Sequence, residues 1–578
     1  MNIQNNTLLP DNRRVSSPNE KATSERSDVA FLFIDITKVP KPITIVQDSR
    51  KSKAYYKTVI EIIPKKENSM KSLNLKEKLI NTADFLVGVE LVSTRGTMSE
   101  KRAIQAKDFS KELTYQAEID WVSITDNAGG NPMLSPDALG TPILYGGQDV
   151  MIHLPCKDLN RHGLESRAWS LASHGFQNIL ALSGDYPIQE PGGMPKPVFD
   201  LDSVGLLAML ARMNQGLEIQ SHNFKRRQLL PTTFFLGAVT TNYKYDEQSV
   251  VPQYLKLQQK IKYGAQFIIN QIGYDARKMD EQIAYLKVNN LSHIPLLGNV
   301  FVLGPSVAQL FHSQRIPGVV VSHELLALRE KQAASPDKGK RFFLELATKQ
   351  LSIYKGLGYR GAYLGGVHTF KDIDQILSFE KSYSPTDWET FVHDLKFSRK
   401  GEFYTFGQNH NTGLANPAQP DTNPASAGLP FKQKTLYKFS KLMHQWAFMG
   451  NARWSQLARW WCEAHRFPTA LHLVERISKS LLFNCKDCGD CSLSEIAFLC
   501  PESQCAKNQR NGPCGGSRDL LCEVTQTECI WSRAYMRLKS ENREKDLLTH
   551  VPVLQNQALR GSSSWKNNWL KKDHTFQS

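Results

Sequence analysis

Eight cysteines fall between Cys485 and Cys529, spaced Cys485-x2-Cys488-x2-Cys491-x8-Cys500-Pro501 and then Cys505, Cys514, Cys522 and Cys529. At that density in a cytosolic chain thiols call for a metal, because a set of disulfides would be reduced. The opening turn is the arrangement that wraps three corners of an iron–sulfur cubane, with a more distant cysteine, often followed by proline, as the fourth. Zinc is the alternative, but four-cysteine zinc ribbons use paired Cys-x2-Cys knuckles and only the first group here has that spacing. Spacing therefore favours iron–sulfur, and eight ligands suffice for two four-cysteine sites. Cys462 stands apart and reads as a buried small residue.

A second group of chemistry-bearing residues lies at strand ends. In Asn178 to Pro187 four apolar residues form a buried-strand run, and Ser183-Gly184-Asp185 closes it with a turn that leaves a carboxylate at the mouth. Other strand-like runs end in similar company. Glu90 lies in the first, Thr125 ends the second, His153 sits in the third, Thr240 follows the fifth and Gln271 ends the sixth. Polar groups at the same end of successive parallel strands converge on one pocket.

The elements that position them recur from Phe85 onward. Eight apolar runs, the last Gly361 to Gly366, are each followed by a helical pattern, which predicts an α/β chain with a (β/α)8 TIM barrel. A doubly wound sheet is the runner-up, but no Gly-x-Gly-x-x-Gly opens a helix after the first strand. Residues 1–75 read as a disordered or loosely docked arm with one apolar patch, Val29 to Ile34. Residues 76–400 are the barrel, and 401–433, with two Asn-Pro pairs, read as a linker. Residues 434–540 form a smaller, α-rich, tryptophan- and cysteine-rich metal-binding domain, and 541–578 a polar tail. Trp446, Trp454, Trp460 and Trp461 are expected in a core or against the barrel.

Composition narrows the class. With 41% hydrophobic and 22% charged residues the chain reads as globular, and no apolar run of about 18 residues could span a bilayer. The N-terminus lacks the apolar core of a signal peptide, so a cytoplasmic protein with no membrane partner is expected. The net charge of +15 is spread along the chain with no basic block interleaved with aromatics, which argues against nucleic acid.

The barrel segments from about Phe85 to His368 resemble methylenetetrahydrofolate reductase. The specific matches are Leu182-Ser183-Gly184-Asp185, the His153 strand, the Lys260 helix and the Asn270-Gln271 strand end. The cysteine region resembles the C-terminal module found with some bacterial members, through Asn511-Gly512-Pro513-Cys514-Gly515-Gly516 and Cys529 to Tyr535. The resemblance implies a folate substrate and FAD across the strand mouths, lined by Thr125, His153, Leu182, Ser183, Gly184, Asp185, Ala238, Thr240 and Lys260. It implies Glu90 as general acid, Asp185 as the carboxylate that tunes flavin and pterin, and Gln271 as the residue that holds folate. Phe301 is the candidate aromatic against the substrate. It implies reduction of 5,10-methylenetetrahydrofolate to 5-methyltetrahydrofolate, the oxidoreductase step that feeds methionine biosynthesis, in a homo-oligomer. NAD(P)H is one reductant; an electron-carrier protein acting through the metal module is the other.

The chain departs from the family pattern at Ser183, where an arginine is frequent, at Thr240, where an aromatic-containing turn is usual, and along Leu91 to Gly96 after Glu90. Two other readings follow from those changes. One is a flavin-free, tetrahydrofolate-dependent methyltransferase or demethylase on the same barrel. The other is a non-enzymatic electron-transfer or docking subunit.

Overall fold

The computed structural model describes residues 73–220, 226–313, 318–421, 431–448, 453–464, 469–550 and 552–576. Residues 1–72 of the N-terminal arm, with its Val29 to Ile34 patch, lie outside the described residues, and Leu75, placed in the arm, opens a barrel-end helix. Eight parallel strands close into a barrel: β1 (Leu86–Leu91), β2 (Trp121–Ile124), β3 (Asp149–Pro155), β4 (Asn178–Leu182), β5 (Phe235–Thr240), β6 (Phe267–Asn270), β7 (Leu296–Phe301) and β8 (Gly361–Gly365). Each pairs with its neighbours in sequence, and β8 returns to β1 with Val89 opposite Leu364. Helices alternate with the strands, as the TIM barrel reading expected.

The apolar runs explain why these segments became strands. Each strand contributes at least one large side chain to one buried cluster: Leu86, Trp121, Met151, Leu180, Phe235, Phe267 with Ile269, Leu297 and Tyr363. Gly88 is needed beside it, because a Cβ there would lie 2.1 Å from the Trp121 ring. The helix Leu75–Asn81 plugs the end opposite the mouth with Leu75 and Leu79. It is held by Lys78 on Asp120 and by the Leu75 amide on Asp149, both residues at strand starts.

The stretch expected to be a linker is partly structured. Phe406–Gln408 pairs antiparallel with Ala415–Pro420. The hairpin lies on the barrel helix Ala276–Val288, where Arg277 donates to the Phe406 carbonyl and Asp280 accepts from the Ala415 amide. Those bonds hold the segment despite its loop composition.

The cysteine region does not hang from the barrel as a separate body. Leu255 of the barrel helix Glu247–Lys262 shares one apolar cluster with Tyr437, Ile496, Leu499, Trp531 and Leu538. The tryptophans differ from expectation in burial: Trp446, Trp460 and Trp461 are 54%, 59% and 40% exposed, so they are not core, and the side chain of Trp454 lies outside the described residues. The tail contributes buried Trp569, which packs with Ala458 and Cys462. No helix among the described residues is long and apolar enough to cross a membrane.

Candidate active site at the barrel mouth

Glu90 is the next-to-last residue of β1, and its neighbour across the barrel seam is bare. A Cβ on Gly365, the last residue of β8, would lie 2.8 Å from Glu90 Oε2 and 2.9 Å from Phe301 Cδ2. The absent side chain thus lets the Glu90 carboxyl and the Phe301 ring crowd against one glycine at the mouth. Burial pushes the Glu90 carboxyl up to about 7. Tyr274 donates to the Phe301 carbonyl at 3.0 Å and Phe311 packs edge-on against the ring, so Phe301 is fixed in place.

Across β2 to β4 the polar groups engage one another. Ser123 Oγ and His153 Nε2 are 2.8 Å apart in a buried pair, and burial lowers the His153 pKa to about 4, so the ring is neutral at pH 7. Ser93 Oγ donates to the Thr125 carbonyl. Burial raises the next residue, Asp126, to about 6. Gly184 takes φ +84°, the left-handed turn that glycine tolerates, and Asp185 follows it with Oδ2 accepting from the Gly129 amide at 2.8 Å.

Ala238 on β5 is buried, and the amide of Gln271, just after β6, donates to the Thr240 carbonyl at 2.9 Å. Thr240 Oγ1 is buried with no hydrogen-bond partner among the described residues. The Gln271 side-chain oxygen accepts from the Ile272 amide. Lys260 donates to the Val239 carbonyl, and burial, with Lys256 alongside, lowers its pKa to about 7.

The cysteine region reaches this mouth. Ser183 Oγ donates to Gln509 Oε1 at 2.9 Å, and Lys507 Nζ donates to the Gly184 carbonyl at 2.9 Å while pairing with Glu523. Lys256 donates to Gln509 Oε1 and to the Gly512 carbonyl, and Lys244 to the carbonyls of Gly515 and Ser517. Asp202, which caps the helix Ser203–Met213, also accepts from the backbone and side-chain nitrogens of Asn511. Sequence reasoning singled out Asn511 to Gly516 and Ser183 without seeing that both lie where the cysteine region docks on the barrel. It missed Lys244, Asp202, Lys507 and Gln509, which carry no local signal.

Cys485, Cys488, Cys491 and Cys500 line one cavity together with Lys479 and Arg510. Backbone amides two residues on point at the sulfurs of Cys485, Cys514 and Cys522, and the Gln509 amide points at Cys505. Burial raises the thiols of Cys488 and Cys505 to about 12 and that of Cys529 to about 11, so without a positive charge beside them they hold their protons. Among the described residues no group of three or more His, Cys, Asp or Glu is gathered tightly enough to grip a single metal ion.

The mouth also fits a flavin in part. Thr125, His153, Asp185 and the unpartnered Thr240 hydroxyl present polar atoms around the strand ends. Lys260 is less available, since a pyrophosphate would have to displace its bond to Val239 beneath the cysteine region.

Residues 75–354 match a family model described as methylenetetrahydrofolate reductase, and 465–557 one described as methylene-tetrahydrofolate reductase C terminal. No curated protein matches the chain. Among solved structures, it is similar to an uncharacterized protein from Clostridium thermocellum that binds two copies of 5-methyl-5,6,7,8-tetrahydrofolic acid, at 13% identity and TM-score 0.38, over 53% of this chain and 98% of that one. It is also similar to dihydropteroate synthases of Yersinia pestis, at 12% identity and TM-score 0.27, over 52% and 94% of the two chains. The enzyme of Xanthomonas albilineans gives 12% and 0.28, over 52% and 95%. Likenesses this distant add no argument about the site.

Proposed function

The chain belongs to the methylenetetrahydrofolate reductase family, carrying its barrel and its C-terminal domain, and from that premise we propose that it reduces 5,10-methylenetetrahydrofolate to 5-methyltetrahydrofolate with a bound flavin. The observation that carries the reading is Glu90, a carboxyl raised to about 7 and set beside Phe301 at the mouth. The reaction adds a hydride to the one-carbon unit and a proton to a folate nitrogen, and a flavin bound at the mouth would supply the hydride. Glu90 supplies the proton, opening the five-membered ring to an electrophilic iminium, a task suited to an acid that titrates near neutral pH. Phe301 flanks the folate, Gln271 holds it, and Asp185 orients the pterin from the turn after β4. His153, kept neutral, can offer or accept one hydrogen bond without adding charge. Thr125 and Thr240 complete the seat.

At Ser183, where the family often carries an arginine, the hydroxyl donates to Gln509 of the C-terminal domain, so this departure goes together with docking of that domain. The test is to purify the chain without oxygen, release and identify the bound flavin, and titrate 5-methyltetrahydrofolate calorimetrically into wild type and Gln271→Ala. Bound flavin with micromolar folate binding that weakens at least tenfold in the variant supports the proposal. Folate binding to a folded, flavin-free chain would move the reading to methyl transfer.

A further inference from the structure

We propose that the C-terminal domain completes the ligand seat of the barrel by contributing Lys507, a positioning residue whose ammonium fixes the Gly184–Asp185 turn and supplies the positive charge beside it. The role of that charge rests on the reading above; the contacts that place Lys507 do not.

The turn after β4 carries no cation of its own. Ser183 stands where the family often has an arginine. Lys157, whose stem would lie 3.3 Å from a Cβ on Gly184, gives its ammonium to Asp158 at 2.8 Å. Lys507 reaches the turn from the other side of the seam. Its Nζ donates to the Gly184 carbonyl at 2.9 Å, and Asp185 is one of the negative groups that act on its charge.

Three hydrogen bonds close a ring around this contact. The Ser183 hydroxyl donates to Gln509 Oε1 at 2.9 Å, Gln509 Nε2 donates to the Lys507 carbonyl at 3.0 Å, and Lys507 Nζ returns to Gly184, the residue after Ser183. Backbone and ammonium of Lys507 are therefore both fixed against one turn, which a lysine that met the barrel only by chance would not require.

The charge is held as firmly as the position. Lys507 is buried, pairs with Glu523 and lies 6.0 Å from the centre of the Phe199 ring. A buried ammonium is costly without such a partner. Gly516, the last residue of the Asn511 to Gly516 motif, makes room for it: a Cβ there would fall 2.2 Å from Glu523 Cδ, and the Gly516 carbonyl accepts from the Glu523 amide at 3.1 Å. Gly512 clears the stem of Lys256 in the same way, where a Cβ would fall 2.7 Å from Cγ. Lys244 and Lys256 run from the barrel to carbonyls of the C-terminal domain, and Lys507 runs in the opposite direction. The motif thus seats the domain so that its lysine arrives at the turn that carries Asp185.

Two consequences follow for the seat. A carbonyl engaged by an ammonium keeps its orientation, and with it the turn that aims Asp185. A positive charge at the turn also favours electron density on a flavin beside it, so removing the charge makes that flavin harder to reduce.

The test uses the full chain as wild type, Lys507→Met, Lys507→Arg and Glu523→Gln, with Asn511→Ala as a variant that undoes a docking contact away from the turn. Circular dichroism checks the fold, 5-methyltetrahydrofolate is titrated calorimetrically, and the flavin midpoint potential is measured. Lys507→Met should weaken folate binding at least tenfold and lower the potential, while Lys507→Arg stays within threefold of wild type. Glu523→Gln removes a negative charge and keeps the ammonium, so it should raise the potential; that sign decides the matter even where Lys507→Met does not fold. Asn511→Ala should leave the potential at the wild-type value. Folded Lys507→Met with wild-type affinity and potential overturns the proposal. So does a potential that fails to rise in Glu523→Gln, or one that moves as far in Asn511→Ala as in Lys507→Met. A folded wild-type chain that binds neither flavin nor folate overturns the reading above instead.

Discussion

Ser183 and Gln509 stand 326 residues apart in the chain and share a 2.9 Å hydrogen bond at the barrel mouth. The same Gln509 oxygen accepts from Lys256 at 3.1 Å, so one buried amide joins two barrel elements to the cysteine region. Gln509→Ala leaves both donors short of an acceptor and should lower stability by about 2 kcal/mol, read from urea melts. Ser183→Arg, although it restores the residue frequent in the family, should loosen the C-terminal domain, seen as faster proteolysis between residues 484 and 520.

Glu90→Gln removes the proposed proton donor while keeping the shape of the side chain. Turnover should fall by about 10²- to 10⁴-fold, with flavin content and folate affinity within twofold of wild type. In wild type the rate should decline above pH 7, where the carboxyl with its pKa of about 7 loses its proton. Stability follows with the same sign. The folded pKa is raised, so the stability from the neutral carboxyl is fully present below the ordinary value of 4.5 and is lost as pH rises through about 7. Glu90→Gln should therefore raise the melting temperature relative to wild type at pH 8 and leave it near wild type at pH 4.

Asp202 is a cap and a clasp at once. Its Oδ1 accepts from the amides of Val204 and Gly205 and from Asn511 Nδ2, and its Oδ2 from the Asn511 amide at 2.7 Å. Asp202→Ala loses the cap and strands the Asn511 donors, a combined loss of about 2–4 kcal/mol. Hydrogen exchange should show the loss both in Ser203–Met213 and around residue 511; an effect confined to the helix would mean the clasp contributes nothing.

His574 fixes the tail between Asp490 and Glu495. Burial alone would lower its pKa, yet the two carboxylates raise it to about 10. A histidine with a raised folded pKa contributes stability that is fully present below 6.5 and is lost as pH climbs through about 10. Proteolysis of residues 552–576 should stay slow at pH 7 and accelerate toward pH 10. His574→Gln should show the fast pattern already at pH 7.

The barrel was legible because each strand is a buried apolar run, and the strand-end residues were legible because a parallel barrel puts all its mouths on one side. The plug helix Leu75–Asn81 was not: its two buried leucines sit among charged residues in only seven positions. The cysteine spacing marked out a C-terminal region, yet the docking of that region rests on pairs such as Lys507 with Gly184 and Asn511 with Asp202, where a side chain meets a distant backbone or cap and leaves no periodicity. The exposed Trp446, Trp460 and Trp461 misled for a related reason, since helical spacing shows that a helix has an apolar face without showing how deeply that face is buried.

The most direct test of the account is a single-turnover experiment on the full chain. Protein with its flavin reduced by dithionite, then freed of reductant, is mixed anaerobically with 5,10-methylenetetrahydrofolate while flavin absorbance is followed. Return of the oxidised flavin spectrum with formation of one 5-methyltetrahydrofolate per flavin is predicted, slowed at least a hundredfold in Glu90→Gln. A flavin that stays reduced in folded protein with folate bound would contradict the account.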